Sequence, residues 1–303
     1  MHRLLLLGGA RELPSRVSLA AVVSGWFYST SSVPACEAVP SSSSFSFSSQ
    51  LPPLPNTHTK RVYLVRHGQT NWNKEGKMQG GGFDIDLNDT GKAQARAAAQ
   101  CLSDIPLDVV ASSHLSRAKA TADAIFEENQ GSAARVVDPG FGEMRFGGFE
   151  GAIIKGSSSE KAVLAAYAEA EQRQKIDATY KFPAIVEGSH EGSSEGRVGE
   201  SPREVSQRAQ TALEGLLKKV GSSSSSSSGG DKEDSGSGRH ICIVAHGRVN
   251  KILLASLFHG DERQHDGILQ GNTCINVLDW CEKKRTWTAV LVNYEGHTKG
   301  LSS

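Results

Sequence analysis

Two histidines stand at the ends of short apolar runs. Arg61–Val65 (RVYLV) leads into Arg66-His67-Gly68, and His240–Ala245 (HICIVA) leads into His246-Gly247. Apolar, β-branched runs of this length read as buried strands. In open α/β sheets, ligands gather beyond the carboxyl ends of the strands, where loops and helix N-termini converge. If the two strands are neighbours, both imidazoles meet at that edge. The glycine after each histidine lets the backbone approach a ligand with no Cβ in the way. His246 also precedes a helical pattern, whose first amides favour an anion. Singly, each histidine could be no more than a structural hydrogen-bonding group; together they outline an anion site at a sheet edge.

The elements that must position them can be read from periodicity. Asp108–Ala111, Ala134–Val137, Ile275–Trp280 and Thr286–Val292 also have strand patterns. Helical patterns cover Lys92–Leu102, Ser116–Glu127, Glu160–Lys175, Pro202–Val220 and Val249–Phe258. The fourth helix opens with Ser201 as its cap, Pro202 in the first turn and Glu204 placed to reach back. Alternating strands and helices predict an α/β fold, a three-layer α/β/α sandwich around a mostly parallel sheet.

Composition narrows the classes further. With 303 residues and 38% hydrophobic content, the chain can bury a sizeable core. Its 33 basic and 33 acidic side chains balance, so the basic excess that a dedicated nucleic-acid binder needs is lacking. No run of eighteen apolar residues occurs, which argues against a membrane-spanning helix. The cysteines, Cys36, Cys101, Cys242, Cys274 and Cys281, are too scattered for a disulfide framework or a metal knuckle.

Residues 1–58 do not read as folded domain. Arg3, Arg11 and Arg16, many serines, and only Glu12 and Glu37 as acids give the first stretch the composition of an organelle transit peptide, mitochondrial before plastid. A disordered tail on a cytoplasmic protein is the alternative. The Ser- and Pro-rich stretch after it reads as linker. A second low-complexity segment, 221–238, reads as a flexible insert within a single domain spanning 59–303. One histidine lies on each side of this insert, so neither flank can make the site alone.

Five blocks in order now carry a resemblance. Arg66-His67-Gly68-Gln69-Thr70-Asn71-Trp72-Asn73 with Gln79-Gly80, Ser113-His114-Leu115-Ser116-Arg117-Ala118, Glu143-Met144-Arg145-Phe146-Gly147, Gly199-Glu200-Ser201 and Ala245-His246-Gly247 resemble the signature of the histidine phosphatase superfamily, the phosphoglycerate mutase-like proteins. The similarity covers about 60–300 apart from the insert. It implies a phosphohistidine mechanism with no metal and no cofactor.

The residue types suit that chemistry. Transfer of a phosphoryl group depends chiefly on positioning and charge neutralisation. In this reading Arg66 and Arg117 grip the phosphoryl oxygens bidentately, Asn73 adds a neutral donor, and His246, if protonated, adds a further charge. His67 is the nucleophile, with a backbone carbonyl expected on its other ring nitrogen to fix the tautomer. Glu143 matches the general acid, and its apolar neighbours Phe141, Met144, Phe146 and Phe149 are expected to favour the protonated form. Thr70, Gln79 and Gly80 are possible substrate-binding residues. Glu200 reads as a first-turn anion near the Ser201 cap. His58, His114, His259, His265 and His297 lack metal-ligand spacing and are expected on the solvated surface.

Hydrolysis and intramolecular phosphoryl transfer share this first step. By resemblance, glycolytic mutases carry a tyrosine where Phe146 stands, a lysine at the position of Ile154, and an Arg-Arg pair where only Arg173 is comparable. They usually carry Gly-Asn where this chain has Gly247-Arg248. The missing carboxylate anchors favour a phosphatase acting on a small phosphorylated metabolite over a mutase. A catalytically inactive relative that binds a phosphorylated ligand or a protein is a third reading. The segment 152–198 is expected to cover the leaving group.

Overall fold

The computed structural model describes residues 46–131, 133–154, 161–184, 186, 198–221 and 239–301. Residues 1–45, with the transit-peptide reading, the serine-rich stretch 222–238, and parts of the expected cover (155–160, 187–197) lie outside the described residues.

Six strands form one sheet: β1 (Thr59–Arg66), β2 (Val109–Ser112), β3 (Ala134–Val137), β4 (His240–Ala245), β5 (Ile275–Cys281) and β6 (Thr286–Tyr294). Their order is β3-β2-β4-β1-β5-β6. The first four pair in parallel, whereas β5 runs antiparallel to both β1 and β6. The sheet is therefore mixed, because β5 and β6 are joined by a tight turn, and a hairpin can only be antiparallel.

Among the described residues six α-helices accompany it: α1 (Asn71–Glu75), α2 (Asp89–Cys101), α3 (Ser116–Glu128), α4 (Lys161–Ile176), α5 (Pro202–Gly221) and α6 (Gly247–His259). Successive strand residues point to opposite faces, and both faces are covered. Val62, Leu64, Ile241 and Ile243 join Val205, Leu213, Ile252 and Leu253 of α5 and α6 in one core cluster. Tyr63, Val65, Cys242 and Val244 join Ala99, Ala118, Ala122 and Ile125 of α2 and α3 in the other. This is the expected three-layer sandwich. Double coverage is why β1 and β4 read as continuous apolar runs instead of alternating ones.

Local signals are met where they were strongest. Ser201 and Glu204 form the expected reciprocal cap of α5, with Ser201 N donating to Glu204 Oε2 at 3.0 Å and Glu204 N to Ser201 Oγ at 3.3 Å. A bidentate pair from Arg61 to Asp279 (2.7 and 2.8 Å) ties β1 to β5.

Ordered packing begins upstream of residue 59. Phe47 is buried with its ring 5.0 Å from that of Tyr294, and Arg61 Nη1 donates to Pro52 O at 2.8 Å. A single aromatic within a serine run docks a stretch whose composition alone reads as linker.

Candidate active site

β1 and β4 are parallel neighbours in register Arg66↔Ala245. The next residue of each strand is a histidine, and His67 N donates to Ala245 O at 3.0 Å. The imidazoles meet at the carboxyl edge with ring centroids 5.0 Å apart and planes inclined by 57°.

Each ring has one nitrogen fixed by the protein. His67 Nδ1 donates to Gly68 O at 2.7 Å, the backbone contact expected of the nucleophile, so Nε2 carries the free lone pair. His246 Nε2 lies 2.7 Å from Ser113 Oγ. With the Ser113 hydroxyl donating there, the ring proton sits on Nδ1, a buried atom with no partner among the described residues. Burial, with Arg117 and Arg66 nearby, holds His67 well below the ordinary imidazole value. Burial, with Arg117, His67 and Arg66 nearby, does the same to His246. Both rings are therefore neutral at pH 7, and the charge expected from a protonated His246 is not supplied in the open site.

The cationic charge comes from the two arginines. Arg66 Nη1 donates to Gln270 O at 2.7 Å, while its Nε is buried without a partner among the described residues. Arg117 is fully buried. Its guanidinium donates to Phe83 O at 3.1 Å and Gly80 O at 3.2 Å, and burial lowers its pKa to about 10, which leaves it charged at neutral pH. Unmatched donors around a desolvated guanidinium pair are the arrangement a phosphoryl group completes.

Glu143 differs from expectation in its surroundings. Its Oε1 accepts from Met144 N at 2.8 Å and Val249 N at 3.0 Å, and its Oε2 accepts from Arg248 N at 3.0 Å. The carboxyl group thus sits on the N-terminal turn of α6, where it takes up two of the amides that have no partner within the helix. The side chains of Phe141, Met144, Phe146 and Phe149 pack into the core, so the apolar sequence around Glu143 does not form its environment.

Of the possible substrate-binding residues, Gln79 lines the cleft, and all three also hold neighbouring groups of the site in place. Thr70 is wholly buried and caps α1 in a reciprocal box with Asn73. The Gln79 amide bridges Thr70 Oγ1 and Arg117: with its oxygen toward the guanidinium, it accepts from Nε at 3.1 Å and Nη1 at 3.3 Å. Gly80 contributes its carbonyl to Arg117, and a Cβ there would collide with the Glu150 carboxylate. Asn73 lines the cleft, and its Oδ1 accepts from Asn272 Nδ2 at 3.3 Å. Glu200, which reads as a first-turn anion, instead accepts Arg145 N at 3.0 Å and pairs with Arg208 at 2.9 Å.

A cleft of about 470 Å³ opens from Arg66, Asn73 and Glu143. Its outer walls include Lys77, Ile154, Tyr167, Arg248, Lys251 and Asn272, none of which was singled out by sequence except Ile154 and Arg248. Arg248 is tied down on several sides. Nη2 donates to Tyr167 Oη at 2.9 Å, Nη1 lies 2.9 Å from Glu171 Oε1 and 3.1 Å from His265 Nε2, and the guanidinium stacks over Phe146. His265 is buried, contrary to its expected surface position, because it closes this network. Glu171, His265 and Asp266 lie close enough together to suggest a metal site, but Arg248 and Lys175 already engage the two carboxylates. Arg173 pairs with Glu169 and does not line the cleft. No helix among the described residues is long and apolar enough to cross a membrane.

Comparison with known proteins agrees with this geometry. The family model of the histidine phosphatase superfamily, branch 1, matches residues 62–294. A probable 2-carboxy-D-arabinitol-1-phosphatase of Arabidopsis thaliana is 30% identical over 223 residues, which are 73% of this chain but 38% of that protein. The chain therefore spans well under half the length of that relative. The uncharacterized phosphatase PhoE of Bacillus subtilis is 28% identical over 240 residues, 79% of this chain and 97% of its own. The solved structure of a mycobacterial glucosyl-3-phosphoglycerate phosphatase superposes with a TM-score of 0.59 at 25% identity, covering 78% of this chain and all of that one.

Proposed function

Because the chain belongs to the histidine phosphatase superfamily, we propose that it hydrolyses small phosphate monoesters through a phosphohistidine on His67. The observation that carries this reading is the pair of imidazoles with one unshared nitrogen each, Nε2 of His67 and Nδ1 of His246, beside the unmatched Nε of Arg66.

The chemistry follows from those atoms. The substrate phosphoryl enters among Arg66, Arg117, Asn73 and His246, whose donors take up its oxygens. His67 Nε2 attacks phosphorus, the ester P–O bond breaks, and the leaving alkoxide takes a proton from the Glu143 carboxyl group acting as general acid. Water then attacks the phosphohistidine, Glu143 accepts its proton, and inorganic phosphate departs with His67 restored. Guanidinium groups supply the charge neutralisation, so no metal is called for.

Cleft size supports a metabolite over a phosphoprotein, since about 470 Å³ lies within the range of pockets that enclose small ligands. Hydrolysis is favoured over phosphoglycerate mutation by Phe146 and Ile154 on the cleft wall and by Arg173 pairing outside it. Supplying 3-phosphoglycerate with 2,3-bisphosphoglycerate separates the two. Free phosphate without the 2-isomer supports the phosphatase, and the 2-isomer without matching phosphate supports the mutase. Absence of turnover of these and of a generic aryl phosphate would favour an inactive ligand-binding relative.

The Arg- and Ser-rich stretch at the N-terminus supports import into an organelle, the mitochondrion before the plastid. Fusing residues 1–58 to a fluorescent protein tests it: organellar fluorescence agrees, and diffuse cytoplasmic fluorescence does not.

A further inference from the structure

We propose that Asn276 and Gln270 are positioning residues, a buried pair of amides that holds the Arg66 guanidinium in place for the phosphoryl group. This rests on the phosphatase reading of the site, to which it adds two side chains.

The contact to Arg66 is made by backbone atoms. Arg66 Nη1 donates to Gln270 O at 2.7 Å, and Arg66 N donates to Cys274 O at 3.2 Å. The same turn reaches the nucleophile and its neighbour. Thr273 N donates to His67 O at 3.3 Å, and Asn272 Nδ2 donates to His67 O at 3.2 Å and to Asn73 Oδ1 at 3.3 Å. The segment 270–274 therefore touches three residues of the phosphoryl site, and its placement sets theirs.

That turn has a shape the chain does not adopt freely. Thr273 has a φ of 54°, in the left-handed region that a β-branched side chain rarely enters, and it is wholly buried. Asn293, on β6, is likewise at 54°. Beside it the β5–β6 pairing slips register between Ile275 and Val277, and irregularities of this kind re-aim side chains next to active sites. A backbone bent in this way persists only where its surroundings over-determine it.

Asn276, wholly buried at the slip, meets that need. Its Oδ1 accepts from Gln270 Nε2 at 2.9 Å and from Asn293 N at 3.0 Å. Its Nδ2 donates to Gln270 Oε1 at 3.0 Å and to Leu64 O at 2.9 Å. All four hydrogen-bonding positions of the amide are used, and they tie the turn to β1 on one side and β6 on the other. Asn293 Oδ1 completes the circuit by accepting from Gly271 N at 2.9 Å. From α6, Asn250 Nδ2 donates to Gln270 Oε1 at 3.2 Å, while its own Oδ1 is buried with no partner among the described residues.

Core packing alone does not call for such a cluster. Leu64, opposite Asn276 on β1, belongs to the apolar core, and an apolar neighbour there would need no partners. Buried amides cost stability unless they are hydrogen-bonded. What they add is direction: the reciprocal pair between Asn276 and Gln270 fixes the residue whose carbonyl aims Arg66.

A double-mutant cycle with Arg66 tests the inference. Asn276→Leu and Gln270→Met each keep the main-chain carbonyl that Arg66 uses and remove the amide pair. Each should lower kcat/KM for an alkyl phosphate about 10- to 100-fold, the scale of a small misplacement of a reacting or binding group. In an Arg66→Lys background the same changes should cost less than about threefold more, because the guanidinium they aim is gone. Ile252→Val, a change at a wholly buried core position of α6, should lower stability and leave kcat/KM unchanged. Calorimetric binding of inorganic phosphate to the same variants reads the positioning without turnover. Its Kd should rise about tenfold in Asn276→Leu and Gln270→Met, and hardly further in the Arg66→Lys background. Losses that add fully in the two backgrounds, wild-type values in both amide variants, or an equal loss in Ile252→Val would overturn the positioning role. If Asn276→Leu does not fold, Gln270→Met decides the same question. If the wild-type protein hydrolyses no ester, the phosphatase reading fails, and the phosphate-binding cycle still decides the positioning.

Discussion

His67 and His246 face each other 5.0 Å apart at the carboxyl edge of two parallel neighbouring strands, each with one ring nitrogen fixed by the protein and one left over. At that separation the two rings are in contact, so one tetrahedral anion lying beside them can meet both. The sheet register produces the arrangement, since Arg66 pairs with Ala245 and the chain turns into the site one residue later on both strands.

The role of Glu143 predicts a dependence on the leaving group. An alkoxide must be protonated as it departs, whereas an acidic phenolate need not be. Glu143→Gln should therefore lower kcat for an alkyl phosphate about 10²- to 10⁴-fold and that for p-nitrophenyl phosphate markedly less. Steady-state kinetics on the two esters checks this. Equal losses on both would mean that Glu143 serves the structure of the α6 N-terminus and not proton transfer.

Ser113 fixes the tautomer of His246, so Ser113→Ala should weaken catalysis without unfolding the protein. A loss of about 10- to 100-fold in kcat/KM is expected, the scale of losing an orienting partner. Ser113→Thr, which keeps the hydroxyl, should recover part of it. Vanadate affinity offers a second readout and should fall in Ser113→Ala, because the Nδ1 donor is no longer specified.

Much of this was legible in the sequence. β1 and β4 declare themselves as unbroken apolar runs, and both end in histidine followed by glycine, so the edge they share is readable. What escaped depends on tertiary approach. Phe141 through Phe149 look like an apolar nest for Glu143, yet those rings turn into the core while the carboxylate reaches three backbone amides, two of them at the start of α6, over a hundred residues away in sequence. His265 lacked any spacing signal because its partner is Arg248, on another element. Phe47 lay in a serine run and reads as linker until Tyr294 is placed beside it. The serine of the Ser113-His114 block was the available clue to the His246 contact.

Stability should fall with acid. Burial lowers the pKa of His67, His246, His240 and His265, and takes that of His297 down to about 4. Their values in the unfolded chain lie near about 6.5, so below that pH the unfolded state binds more protons than the folded one. These groups add their full stability above about pH 6.5 and lose it progressively toward pH 4. Urea denaturation at pH 7.5, 6 and 4.5 should give falling midpoints. A midpoint that rises on acidification would contradict the buried, neutral state of these rings.

The serine-rich insert should be dispensable for turnover. It connects the end of α5 to the start of β4, whereas the active site lies at the other end of that strand, beyond Ala245. Six strand residues separate the two edges by about 20 Å. Deleting 222–237 should leave kcat and KM within about twofold in an assay of the purified protein, because the chain re-enters the fold at the start of β4, away from His246.

The central claim is a covalent one: phosphorus bonds to Nε2 of His67 during turnover. Rapid quenching of the protein with a ³²P-labelled ester, followed by peptide mapping, tests it directly. Label should survive alkali, be released by acid and map to the peptide carrying His67, with none in His67→Ala. Label on another residue, or full turnover by His67→Ala, would contradict it.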